Sequence, residues 1–312
     1  MATRYAPIGG QAVIEGVMMR SPSLVATAVR RPDGTIAVRC APFVSLSRRV
    51  RVLGWPICRG ALALIESMQL GLAALSYSAE QVADGGAGAE GVQAKAQAKA
   101  KSRAEGGWHR AVMGATVVVS LGLGILLFFW VPLALTELTG ARSGIAFNLI
   151  DGAFRLVIFL AYISAISLWG EMKRVFQYHG AEHKSIAALE AGDELTPERV
   201  ARYSRFHPRC GTSFLLIVML ASILVFMLLG RPDSIGERLQ RFLFIPLIGG
   251  VAFELTRLSG KWADNPAVKL FILPGLLLQR ITTREPSPEQ LEVAIRSVLE
   301  VTRKSGGRLV PV

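Results

Sequence analysis

Residues 111–135 read AVMGATVVVSLGLGILLFFWVPLAL, a run of 25 residues without a charged side chain. A helix needs about 20 apolar residues to cross the hydrocarbon core of a bilayer. Residues 211–230, GTSFLLIVMLASILVFMLLG, are also free of charge. Both runs are predicted to be transmembrane helices, and they favour a membrane protein that is mainly α-helical.

Two further segments are predicted to span. Residues 145–170 are apolar apart from Asp151 and Arg155, which lie one helical turn apart and can pair with each other. Residues 242–258 form the other segment, with Glu254 near its end. The sequence therefore predicts about four transmembrane helices.

The composition separates two explanations of the basic charge. The chain of 312 residues is 51% hydrophobic and only 19% charged, below the roughly 25% typical of soluble domains. Its net charge of +12 could indicate nucleic acid, but the sequence has no recognition-helix pattern, aromatic RNA-binding signature or nucleotide-binding glycine loop. We therefore expect no nucleic-acid partner, and we attribute the charge to the positive-inside pattern of membrane proteins.

The basic residues also predict an orientation. They are frequent in the amino-terminal region, in residues 171–210 and in the tail after residue 258, and fewer in residues 136–148 and 231–241. Loops rich in Lys and Arg stay on the cytoplasmic side. This favours a multi-pass protein of the bacterial inner (plasma) membrane, with the lipid bilayer as its partner and both termini in the cytoplasm.

Three regions are predicted along the chain. Residues 1–83 are expected to form a small cytoplasmic α+β module, with a hairpin at residues 24–38 around a Pro-Asp-Gly turn. Residues 56–79 are expected to form a helix that covers this sheet or lies on the membrane surface, and plain packing is favoured. Residues 84–107 are predicted to be a flexible linker, and residues 108–312 the membrane domain.

The tail of the membrane domain holds two further predicted elements. Residues 268–278 are apolar but too short to span, so they are expected to be interfacial or re-entrant. Residues 289–303 are predicted to form an amphipathic helix.

One polar cluster could carry chemistry. His179 and His183 are separated by four residues, so on a helix both imidazoles project from one face and can share a metal ion. Glu182 completes an H-x-x-E-H pattern, in which a glutamate can act as general base on metal-bound water. His207 and Cys210 precede the span at residues 211–230, and both residue types are good zinc ligands. The pattern predicts Zn²⁺ or another divalent metal.

Several alternatives stay open at this point. Glu254 could supply the third ligand instead, or Arg257 could merely neutralise it. The two histidines of the helix could belong to a solvated polar face, with Glu182 paired to Lys184. His207 could serve only to cap the next helix.

A second unusual stretch, GGQAVIEGVMMR, occupies residues 9–20. Paired glycines permit a close backbone approach or a positive φ. Glu15 and Arg20 are candidate contacts of the histidine cluster. A tight structural turn is the alternative, and the residues alone favour it.

Four motifs together resemble the YqhQ-like family of bacterial membrane proteins, a group described as predicted metal-dependent enzymes of unknown function. The motifs are GGQAVIEGVMMRSP (9–22), VFQYHGAEHKSI (175–186), HPRCGTSFL (207–215) and LTRLSGKWADNP…LPGLLLQRITTREPSPEQLEVA (255–294). The resemblance implies a multi-span protein with a metal centre, and it covers nearly the whole chain except the linker. By motif position, it implies a site at His179, Glu182, His183, His207 and Cys210. Glu15 is implied as a residue that contacts these site residues and not the metal.

Two functions compete on these grounds. The first is a metal-dependent hydrolase or peptidase of the membrane, with Glu182 as its catalytic base. The second is a non-catalytic adaptor or assembly factor that docks a membrane or cytoplasmic protein partner. A transporter has less support, because only Glu254, Arg155 and Asp151 could line a path through the predicted spans.

Overall fold

The structure is a computed structural model that describes residues 8–84, 106–208, 210–262 and 265–304. Most of the predicted linker at 84–107 therefore lies outside the described residues. The strands are β1 (Gly9–Val13), β2 (Gly16–Arg20), β3 (Leu24–Arg30) and β4 (Ile36–Pro42). The helices are α1 (Leu46–Arg49), α2 (Cys58–Asp84), α3 (Gly106–Ile125), α4 (Val131–Leu138), α5 (Gly144–Ser167), α6 (Gly170–Ala191), α7 (Pro197–Val200), α8 (Gly211–Leu229), α9 (Ile235–Leu243), α10 (Ile245–Lys261), α11 (Pro266–Thr282) and α12 (Pro288–Lys304).

Three of the four predicted spans correspond to helices that are long and apolar enough to cross a membrane. A π-helical turn at Leu126–Trp130 joins α3 to α4, and the apolar part of this continuous helix is Gly114–Leu138. Helices α5 and α8 are the other two. The pair predicted within α5 is present, since Arg155 Nε lies 2.9 Å from a buried Asp151 carboxylate oxygen.

The fourth predicted span, at 242–258, corresponds to the end of α9 and most of α10, which do not form one straight helix. Helices α9 and α10 bend by 42° at Phe244, so the segment is a broken span or a re-entrant loop. Pro246 lies in the first turn of α10 and has no N–H to continue a hydrogen-bonded helix from α9. The fourth candidate span of the described residues is Cys58–Ala83 in α2, a helix that was expected to cover the sheet.

The amino-terminal strands form an antiparallel sheet in the order β1-β2-β3-β4. The predicted hairpin is β3–β4, and residues 9–20, expected to be a turn, form a second hairpin. Side chains alternate between the two faces of the sheet, as the period of two requires. One face packs on α2 through Val13, Met18 and Val29, so the expected cover by this helix is confirmed.

The other face of the sheet packs on α6 and α12. Val17, Met19 and Ala28 share a core with Tyr178 and Leu291. The amphipathic helix predicted at 289–303 is confirmed, because its apolar residues Leu291, Ala294, Ile295 and Val298 are buried in this core. The sheet is thus the middle of three layers, and α6 presents its remaining side to the start of α8.

Candidate metal centre

Helix α6 places two imidazoles side by side. His179 and His183 lie on one face of it, and their ring centroids are 4.4 Å apart. The i,i+4 spacing is sufficient to produce this arrangement once the segment is helical. Gly192 ends the helix in a left-handed conformation with φ of 72°.

Backbone carbonyls hold one nitrogen of each ring. His179 Nδ1 lies 2.8 Å from the carbonyl oxygen of Thr282, and His183 Nδ1 lies 2.6 Å from that of Arg205. Because a carbonyl oxygen can only accept, each Nδ1 must carry the proton and donate it. Each neutral ring therefore keeps the lone pair on Nε2, the arrangement that histidine ligands of metals commonly show.

Cys210 supplies a third donor atom. It is the N-cap residue of α8, and its Sγ accepts from the backbone N–H of Thr212 at 3.4 Å. The same Sγ lies 3.3 Å from His179 Nε2, and the three candidate ligand atoms of His179, His183 and Cys210 lie within 4.8 Å of one another. Ligands of a tetrahedral zinc ion are about 3.3–3.6 Å apart, so small side-chain rotations would suffice to bind it.

His207 lies beside this group of three. Its ring centroid is 5.7 Å from that of His183, and its Nε2 is 3.5 Å from a carboxylate oxygen of Glu190. The buried side chain of Gln279 holds the backbone of His207 by accepting from its N–H and donating to its carbonyl, both at 2.8 Å. The structure thus brings together three of the four predicted ligands and places the fourth next to them.

Burial favours the metal-binding form of His183 and His207. His183 is only 2% exposed, and loss of hydration lowers the pKa of both His183 and His207. A lowered pKa favours the neutral ring, which is the form that binds metals.

Glu182 lies on the inner side of α6 and is also buried. Its carboxylate accepts a hydrogen bond from the backbone N–H of Gly10 in β1, and burial raises its pKa against the influence of His179 and His207. A Cβ atom on Gly10 would lie 3.0 Å from Cδ of Glu182 and 2.6 Å from the carbonyl oxygen of Met18. Only glycine permits this approach, which explains part of the motif at residues 9–22.

The two candidates from residues 9–20 are engaged away from the cluster. Glu15 is bonded to Arg174 and to the hydroxyl of Tyr178. It anchors the hairpin to α6 near His179 but does not reach the three-ligand group. Arg20 instead pairs with Glu66 at 3.4 Å.

Glu254, the alternative third ligand, forms an ion pair with Arg59 at 2.5 Å, and Arg257 lies farther away at 3.9 Å. Lys184, expected as a possible partner of Glu182, donates to the carbonyl of Ala201 and pairs with Glu285.

Sequence reasoning missed the residues that orient the site. Thr282, Gln279 and Arg205 make the contacts described above, although the first two lie in the motif at residues 255–294. The resemblance of that motif to the family was the one signal that pointed to Thr282 and Gln279. It did not indicate which residues they contact.

The fold and the cluster define a mainly helical protein with four candidate membrane-spanning helices in its described part and a largely buried His-His-Cys group at the start of α8. Residues 55–304 match the family described as "Protein of unknown function (DUF1385)". A relative from Bacillus subtilis (strain 168), described as "Uncharacterized protein YqhQ", is 37% identical over 299 residues, which cover 95% of this chain and 92% of the relative. No solved structure matches. The chain belongs to the DUF1385 family, and the resemblance inferred from its motifs is confirmed.

Proposed function

We propose that this chain is a multi-pass protein of the bacterial inner membrane that binds Zn²⁺ or another divalent transition metal through His179, His183 and Cys210. The observation that carries the proposal is the fixed pair of Nδ1 hydrogen bonds. They direct two Nε2 lone pairs toward one thiol, and nothing in ordinary core packing requires that convergence.

The distribution of polar residues supports the membrane location. At one end of the helices, Arg231 donates to the carbonyl of Ala141 at 3.1 Å, which joins the loop at 136–148, with one basic residue, to the loop at 231–241, with three. The metal-site residues, the sheet and the loop at residues 171–210 lie at the other end, where the basic residues accumulate. By the positive-inside rule, this second end faces the cytoplasm and holds both termini.

The reaction that this group fits best is hydrolysis, for example of a peptide bond. A divalent ion held by His179, His183 and Cys210 would lower the pKa of a water molecule and polarise a carbonyl group. Glu182 precedes His183, and burial raises its pKa, which suits a carboxylate that must take up a proton and release it again. His207 lies close enough to Glu182 to influence its pKa electrostatically.

The competing proposal is a non-catalytic adaptor in which the metal is structural. The observation that favours it is the burial of the ligands, since His183 is 2% and Cys210 4% exposed. The ligands come from α6 and the start of α8, and Thr282 in α11 orients one of them. An ion would therefore hold these helices together, and they would form a docking surface for a membrane or cytoplasmic protein partner.

Metal analysis of the purified protein tests the shared part of both proposals. We expect about one ion per chain in the wild type. Loss of more than about nine-tenths of it is expected in His179→Ala, His183→Ala and Cys210→Ser, since three ligands are the minimum for tight binding. Cys40→Ser is the matched control, because Cys40 is a free cysteine on β4. Equal and negligible metal in all proteins would rule the site out.

Glu182→Gln separates the two proposals. The substitution keeps the size of the side chain and removes its ability to take a proton, so a hydrolase should keep its metal and lose its activity in cells. Cells that carry Glu182→Gln would then resemble cells that lack the protein. Full cellular function with Glu182→Gln would favour the adaptor.

A further inference from the structure

The segment between the sheet and α2 has the composition of a membrane-surface anchor. Residues 43–57 read FVSLSRRVRVLGWPI, and the chain has no Asp or Glu from residue 34 to residue 65. Val52 and Trp55 are 54% and 60% exposed, and three exposed arginines stand between them and the sheet. Exposed apolar side chains with Trp and several arginines are typical of segments buried in an anionic lipid interface.

The segment folds back on α2 to form a helical hairpin. Glu66 in α2 joins the arms, since it accepts from the backbone N–H of Leu46 in α1 at 2.8 Å and pairs with Arg20. The chain reverses at Trp55–Ile57, where Ile57 has a φ of 70°, a conformation that is costly for a β-branched residue. The tip is therefore held in a defined shape by its surroundings.

The tip of the hairpin packs on α10, far from the sheet. A Cβ atom on Gly250 would lie 2.5 Å from the carbonyl oxygen of Ile57, so the two backbones touch. Arg59 fixes the contact through its ion pair with Glu254. Close by in α10, Ile248 shares a buried cluster with residues of α8, the most apolar candidate span. The tip thus lies at the depth of the middle of that span.

The other half of α2 cannot be at that depth. From Leu70 onward, its inner side packs on the sheet, and Gln81 accepts from Arg31 at 2.9 Å. The sheet in turn shares its second core with α6 and α12. If α2 crossed the bilayer, the sheet and its charged turn at residues 30–35 would enter lipid. Apolar exposure on the outer side of α2 is high at Ile65, Met68 and Leu72.

We propose that residues 44–72 form a re-entrant hairpin that enters the bilayer from the cytoplasmic side without crossing it. Its tip at Trp55–Ile57 lies in the hydrocarbon, and Arg48, Arg49 and Arg51 bind anionic lipid headgroups. Arginine side chains can extend along the apolar surface to reach the headgroup level. The inference rests on the proposed membrane location, and it adds an anionic-lipid contact for the amino-terminal module.

Collision accessibility of a spin label on Cys58 tests the depth of the tip. Cys58 is exposed at the start of α2, and Cys40→Ser leaves it as the label site, because Cys210 is 4% exposed. In vesicles of phosphatidylcholine and phosphatidylglycerol, we expect the label to collide with oxygen and not with a water-soluble nickel chelate. Val118→Cys in α3 and Glu198→Cys in α7, both in the Cys40→Ser, Cys58→Ser background, provide the lipid and water references. The unsubstituted background protein measures any labelling of Cys210.

Three labelling results would contradict the hairpin or the membrane location on which it rests. Access of the nickel chelate to Cys58 but not to Val118→Cys would overturn the hairpin and leave the membrane location intact. Protection of Cys58 from both reagents would also overturn it, because a second protein surface would then cover the tip. Access of nickel to Val118→Cys as well would overturn the membrane location itself.

The headgroup contact is tested with spin-labelled lipids. We expect the preference of the protein for phosphatidylglycerol over phosphatidylcholine to fall about twofold or more in Arg48→Gln/Arg51→Gln, since basic side chains near the surface attract anionic headgroups. The matched control is Arg199→Gln/Arg202→Gln, two exposed arginines of the cytoplasmic loop. An unchanged preference in the first variant would overturn the headgroup assignment.

Discussion

At the level of single residues, the site depends on which nitrogen of each imidazole carries its proton. Thr282 and Arg205 contribute carbonyl oxygens, which cannot donate, and so fix the proton on Nδ1 of His179 and His183. Two side chains of the same type would otherwise exchange tautomers and hydrogen-bond to each other. The fixed tautomers leave Cys210 as the common neighbour of the two remaining lone pairs.

The pairing of His179 with His183 could be predicted, because helix geometry depends only on local spacing. The choice between His207 and Cys210 as third ligand could not be predicted from the sequence. It depends on Gln279, which holds the backbone of His207 from 72 residues away. Contacts of this separation leave no periodic trace in a single sequence.

Gly180 sets how closely the end of α11 approaches the site. A Cβ atom there would lie 2.1 Å from the carbonyl oxygen of Arg284, whose N–H donates to the carbonyl of Phe176 at 2.8 Å. Gly180→Ala should therefore push this segment away from α6 and cost about 1–3 kcal/mol of stability. Because Thr282 lies in the displaced segment, the variant should also bind metal more weakly.

Thermal unfolding and metal content of the two glycine variants of α6 check this. Gly170→Ala is the control, since nothing lies within 4 Å of a Cβ atom at that position. Alanine favours a helix over glycine, so the control should be as stable as the wild type or slightly more stable. Equal stability of Gly180→Ala and Gly170→Ala would contradict the packing argument.

At the level of elements, the β1–β2 hairpin fixes the position of α6. Glu15 stands at the hairpin turn with a φ of 50°, and its carboxylate binds Arg174 and Tyr178. Arg174 lowers the pKa of Glu15 more than burial raises it, and burial raises the pKa of Tyr178. A carboxyl group whose pKa is lower in the folded state stabilises the fold above its unfolded value and loses that effect as the pH falls.

Glu15→Gln should therefore lower the unfolding temperature at pH 7, and the difference from the wild type should vanish as the pH falls below the ordinary glutamate value of 4.5. Arg174 is 57% exposed, so the change should be at most about 4 °C. Differential scanning fluorimetry in detergent at several pH values measures it. Glu80→Gln, at an exposed position of α2, is the control and should show no such pH dependence. A difference that persists undiminished in acid would show that the carboxylate charge is not responsible.

The elements differ in how well the sequence predicted them. Helices α5, α8 and α12 follow directly from apolar length or period. The break between α9 and α10 does not, because the hydropathy of residues 242–258 is continuous and Pro246 is compatible with a first helical turn as well as with a kink. The role of α2 was also ambiguous, since the same apolar residues suit a helix that covers a sheet and one that enters lipid.

At the level of the whole molecule, the two ends differ in chemistry. At one end, Arg241 links α9 to α5 and to the end of α8. It donates to Asn148 Oδ1 and to the carbonyl of Gly230, both at 2.9 Å. The other end carries the sheet, α6 and the candidate metal centre. The loops around Arg142 and Asp233 therefore lie together at the first end, or pole, of the molecule, although they are distant in sequence.

A cysteine-labelling experiment in intact cells tests this polarity. Arg142→Cys and Asp233→Cys should react with a membrane-impermeant maleimide, because both exposed positions lie at the pole predicted to face away from the cytoplasm. Glu198→Cys, at an exposed position near the candidate metal centre, should react only after the cells are broken. Since Arg231 links the two loops directly, Arg142→Cys and Asp233→Cys must behave alike, whichever way the protein is oriented. Labelling of Glu198→Cys alone in intact cells would reverse the orientation, and labelling of only one of the two loop variants would contradict the arrangement of the helices.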